Sequence, residues 1–175
     1  MGDKFELTDE SIKVGDHTLY RIRALRDFSY IKKGDLGGFV ESKWYNLTHE
    51  NYCWVYDDAQ VYDDAQIRGN AQIRGNAQVF GRAEILGRAH VYGNAHVSGG
   101  AWITGDAHIY GDACVCGRIE IGGKSHICGD AYLNMAYLNV RIKTRIDHGV
   151  WMHEMTLGYN KKYLLSTTLE AKRIK

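Results

Sequence analysis

Apolar and polar positions in the middle of the chain recur with a period of six. With Ala as position one, the register runs unbroken from Cys53 to Asp130, which makes thirteen hexads. Position one is Ala in ten of them, the departures being Cys53, Ile119 and Ser125. Position three is Val or Ile throughout, from Val55 to Ile127. Positions five and six are commonly Gly-Asn or Gly-Asp, as in "AHVYGNAHVSGGAWITGDAHIYGD". A period of six lets apolar positions drift around a helix axis, so no helical face forms. It suits short strands, because positions one and three lie two apart and point to the same side. Each hexad is therefore predicted to be a short strand followed by a bend. A chain that bends every six residues coils, and stacked coils pair strand on strand at about 4.8 Å. The pattern predicts an all-β fold, a parallel β-solenoid with Val and Ile columns inside and Ala near each corner.

The ends of such a solenoid expose strand edges and an apolar column, so caps are expected. In residues 1–52, "IKVGDHTLYRIRAL" alternates around a Gly-Asp turn and predicts a hairpin cap. In residues 137–175, "LNVRIKTRI" places Val140, Ile142 and Ile146 on one face and Arg141, Lys143 and Arg145 on the other. With "VWMHEMTL" and "YLLSTTLE" it predicts a three-stranded C-terminal β-meander. The organisation expected is a β cap over 1–52, the repeat over 53–136 and a basic meander over 137–175.

The repeat resembles the hexapeptide-repeat family of left-handed parallel β-helices, in which three hexads make one triangular coil. The stretch "GDLGGFVES", with "NLTHE" and "CWVYDDAQVY", is similar to a phage and prophage subgroup of that family. The resemblance implies a homotrimer in which flat faces pack around a threefold axis and ligands lie in the grooves between subunits. It also implies that residues eighteen apart stack. One face then carries Trp54, Gln72, His90, His108 and His126, beside Tyr56, Arg74, Tyr92, Tyr110 and Cys128. A second carries Gln60, Gln78, His96, Cys114 and Tyr132, and the third Gln66, Glu84, Trp102 and Glu120. Extensive exposed aromatic surface marks an interface or a binding groove. The bland reading of the same columns is a β-favouring surface ladder.

Charge and composition narrow the chemistry. The net charge of +1 gives no global bias toward nucleic acid. Residues 137–175 hold eight Lys and Arg against Asp147, Glu154 and Glu170, an excess that suits an anionic partner. The chain has no Pro beside 20 Gly, so its turns fall to Gly, Asn and Asp. No apolar stretch has the length of a membrane span and the N-terminus lacks a signal-type apolar region, so a cytoplasmic protein with four reduced Cys is expected. Members of the resembled family include acyltransferases that use one His as general base. Here His90, His96, His108 and His126 are all part of the repeat, and no inserted loop interrupts it. Cys114, Cys116 and His96 form only a partial ligand set. The expectation is therefore a non-catalytic protein with no metal and no cofactor, binding a small anionic ligand such as a nucleotide. The candidate ligand residues are Trp54, Tyr56, Arg74, His90, Tyr92, His108, Tyr110, Arg141, Lys143 and Arg145. An acyl-CoA-dependent acyltransferase and a structural virion protein are the alternatives.

Overall fold

The computed structural model describes residues 2–142, 145–148, 150–153, 163–165 and 171–173, with side chains described for 2–134 and 145–148. All regular structure among them is β, and the repeat forms a parallel β-helix. One face is a six-stranded parallel sheet whose rungs are Trp54–Val55, Gln72–Ile73, His90–Val91, His108–Ile109, His126–Ile127 and Arg145–Ile146. The second face stacks Gln60–Val61, Gln78–Val79 and His96–Val97, and the third Gln66–Ile67, Glu84–Ile85 and Trp102–Ile103. The strand Cys114–Ile121 runs round a corner and adds a rung to both.

The repeat produces this shape through three local requirements. First, position-one Ala and position-three Val or Ile are buried on every rung from Ala59 to Val115, forming one continuous apolar column. Second, the backbone of each coil donates to the next, as His90 N–H does to Ala107 O at 2.9 Å and Tyr92 N–H to Ile109 O at 2.9 Å. Third, the corner residue adopts positive φ. Every position-five Gly from Gly69 to Gly129 has φ between +64° and +85°, a region that costs an L side chain energy. Corner backbones also stack closely: a Cβ on Gly93 would stand 3.0 Å from Gly111 N. In the first two hexads the corner is instead Asp57 (φ +53°) and Asp63 (φ +55°). Their carboxylates accept from the Gly75 and Gly81 N–H groups at 2.9 and 3.2 Å, which offsets the backbone cost.

The N-terminal hairpin is present as expected. Strand β1 (Phe5–Val14) pairs antiparallel with β2 (His17–Ala24). Strand β3 (Leu36–Val40) pairs antiparallel with β2 and parallel with Gln60–Val61, so it is already a rung of the second face. Phe5, Phe28 and Trp54 close the apolar column beneath the first coil, with Trp54 edge-on to Phe28 at 5.3 Å. Lys4 is buried with them, and its ammonium donates to Cys53 O at 2.8 Å and Cys53 Sγ at 3.3 Å. Burial lowers the Lys4 pKa.

Within its described residues the C-terminal region runs parallel to the repeat, and the rest of the expected meander, 154–162 and 166–170, lies outside the described residues. Tyr132–Ile142 pairs in parallel with Cys114–Ile121, and Val150–His153 pairs in parallel with Tyr132–Met135. The solenoid thus continues past the hexad register instead of turning back on itself. Alternation of apolar and polar residues is common to both geometries, and the open edge of the last hexad offers a parallel template. Two short strands, Tyr163–Leu165 and Ala171–Arg173, pair antiparallel. Among the described residues no helix is long and apolar enough to cross a membrane.

Candidate functional site

The face carrying the histidines is built by the register itself. Because rungs pair eighteen residues apart, His90 lies opposite His108, and His108 opposite His126. Their imidazoles stack at centroid distances of 4.9 Å with interplanar angles of 3°. Beside them Tyr92 and Tyr110 stack at 4.9 Å and 1°. The two columns meet edge to face, Tyr92 against His108 and Tyr110 against His126, each at 6.1 Å. This T-shaped contact directs positive ring edges at π faces.

Arginines flank the ladder. Arg74 lies one rung before Tyr92, its guanidinium 3.9 Å from the Tyr56 ring centroid and donating to Gln72 Oε1 at 2.7 Å. Among the described residues no carboxylate pairs with it. At the other end Arg145 stands opposite His126 and extends the His column. Arg145 meets Asp147 at 3.5 Å, and Asp147 also holds His148 Nδ1 at 2.6 Å.

The electrostatics favour the neutral form of His90 and His108. Burial first, then the neighbouring imidazole of His108, lowers the His90 pKa; burial and then His126 lower that of His108. The Cys128 thiol, through its hydrogen bond, raises the Tyr110 pKa, with burial adding to it. His126 Nδ1 is buried without a hydrogen-bond partner among the described residues. Neutral imidazoles each offer one donor and one acceptor. At His90 and His108 the face therefore presents uncharged hydrogen-bonding edges, with Arg74 and Arg145 at its two ends.

The predicted residues divide accordingly. His90, Tyr92, His108 and Tyr110 come together, with Arg74 at one end and Arg145 at the other. Tyr56 is half-buried beneath Arg74, and burial raises its pKa. Trp54 does not join them. It is fully buried, because the cap supplies Phe5 and Phe28 to cover the first rung, which the hexad pattern counts as an outward position. Arg141 stands opposite Glu120, on the third face and away from the His column. Lys143 lies outside the described residues.

Cys114 and Cys116 are free thiols, with Cys116 Sγ donating to Leu133 O at 3.3 Å. A cluster the hexad pattern does not reveal joins the cap to the repeat. His17 Nδ1 lies 2.9 Å from Glu41 Oε1, and Nε2 lies 3.1 Å from Asp63 Oδ1. The two carboxylates engage opposite ring nitrogens, so the imidazole bridges them instead of converging with them on one ion. The sequence signal for this cluster is the Asp at a corner where later hexads use Gly. Away from the ladder, a cleft of about 410 Å³ lies between Trp44, Tyr45, His49 and Arg68.

No family model matches the chain, and no curated protein matches it. The class established is that of the fold, a parallel β-helix protein.

Proposed function

We propose that this chain is a non-catalytic, left-handed hexapeptide-repeat protein of the phage type, binding a small anionic ligand along the His–Tyr face. The observation that carries the reading is the double ladder, three parallel imidazoles beside two parallel phenol rings, set between Arg74 and Arg145. Rings 4.9 Å apart leave no room for a base to slide between them. A planar ligand instead lies across their outer edges and hydrogen-bonds to successive imidazoles. Phosphate groups pair with the arginines, whose planar donors suit them. Arg74 and Arg145 are four rungs apart, about 19 Å at sheet spacing, so a mononucleotide meets one arginine and an extended dinucleotide meets both. In a homotrimer the same face lines the groove between subunits. A host nucleotide signal in the cytoplasm is the ligand class that a phage protein has reason to sequester, and stoichiometric capture needs no catalytic group.

The test is a thermal-shift and calorimetric screen of mono-, di- and cyclic nucleotides, with acyl-CoA beside them. Nucleotide binding without turnover, weakened by Arg74→Ala and His108→Ala, is the expected result. His-dependent turnover of an acyl donor would replace this reading with acyl transfer.

A further inference from the structure

We infer that His17 is a proton-operated latch that holds the tip of the cap hairpin on the solenoid. The residue opens β2, directly after the Gly15–Asp16 turn, and bridges two carboxylates from different parts of the chain. Glu41 follows the end of β3, and Asp63 is the corner of the second hexad. Both carboxylates are held from behind. Glu41 Oε2 accepts the Asp63 N–H at 2.8 Å, and Asp63 Oδ2 accepts the Gly81 N–H at 3.2 Å. Neither can turn away from His17 without giving up a backbone donor.

This geometry selects the imidazolium. The charged ring has two N–H donors and satisfies both carboxylates, whereas the neutral ring has one N–H and turns a lone pair toward the other. The charged groups facing His17 are Glu41 from beyond β3, Asp63 from the corner, and Asp16 beside it in the turn. All three are acidic and favour the proton, and the His17 pKa is raised, chiefly by the Glu41 hydrogen bond. The Tyr62 ring also lies against His17 at 5.2 Å, itself stacked on Phe80 at 5.0 Å. Under the latch lies a small apolar cluster of Leu19, Phe39 and Tyr62, packed by Ile12, Val14 and Phe80, which docks the hairpin on the second face.

The direction follows from linkage. A His whose folded pKa lies above its unfolded value contributes fully below about pH 6.5. The contribution is lost as pH rises through the folded midpoint. The docked hairpin is therefore tightest in mild acid and loosens toward alkaline pH. His90 and His108 have the opposite sign, so the latch must be read at its own residues.

The experiment is an NMR titration of the full chain in EDTA-containing buffer, following the His17 ring and amide protection factors in β1 and β2. Expected are a His17 midpoint above about 6.5 and hairpin protection that falls as pH passes it. Glu41→Gln and Asp63→Asn should each lower the midpoint while leaving the repeat folded. His17→Asn, which cannot become a cation, should remove the fall in protection at the hairpin tip that accompanies the His17 midpoint. A His17 midpoint at or below 6.5 would overturn the latch. So would hairpin protection that follows pH equally in wild type and His17→Asn.

Discussion

Replacing Gly99 with Ala separates two costs that the corner stack imposes together. Gly99 has φ +70°, and a Cβ there would stand 2.6 Å from Gly117 N and 3.0 Å from Gly117 Cα. Gly15, in the hairpin turn, has φ +59° but nothing within 4 Å of its Cβ position. The backbone strain is thus nearly the same at both sites, about 1–2 kcal/mol for an L residue in the left-handed region. At Gly99 the methyl also meets backbone atoms, which move only if the next coil moves. Overpacking of that kind costs a further ~1–3 kcal/mol. Gly15→Ala should therefore cost about 1–2 kcal/mol and Gly99→Ala about 2–5 kcal/mol. At roughly 2–4 °C per kcal/mol for a chain of this size, the melting temperature falls more steeply for Gly99→Ala, by about 4–20 °C. Urea and thermal unfolding followed by circular dichroism read both values. Equal losses at the two sites would refute the close corner stack and leave backbone strain as the whole effect.

Three further outcomes follow from the same geometry. Ala95→Phe, at a fully buried position, should cost at least about 1–3 kcal/mol, whereas His96→Ala, pointing outward, should stay within about 0.5 kcal/mol; similar losses in denaturant melts would contradict the register. His90 and His108 have lowered pKa values, so their contribution to stability is present above the unfolded value of about 6.5 and is lost as pH falls through the folded values; an anionic ligand that draws protons onto them should bind more tightly from about pH 8 to 6, with proton uptake visible by calorimetry in buffers of different ionisation enthalpy. Multi-angle light scattering at micromolar concentration should give three times the 19.8 kDa chain mass, and a monomer mass would remove the inter-subunit groove.

What the sequence determined by itself is the repeat and everything that follows locally from it. A strict hexad with Ala at one position, Val or Ile two further on, and a Gly corner admits short strands and regular bends. The inward and outward residues of each rung from Gln60 to Cys114 are readable by inspection. Once three hexads are taken per coil, so are the columns of His90, His108 and His126 and of Tyr92 and Tyr110. Period decides these features, and period is written in the chain. Tertiary structure decided what happens where the period stops. Trp54 obeys the hexad and is still buried, because residues distant in sequence fold under the first rung. Arg145 joins the His column and Arg141 does not, because strand pairing after Asp130 leaves the hexad register. The His17–Glu41–Asp63 bridge draws on three segments with no shared local pattern. Such meetings are set by long-range packing of the cap on the helix, and apolar alternation in a strand does not say whether its neighbour runs parallel or antiparallel.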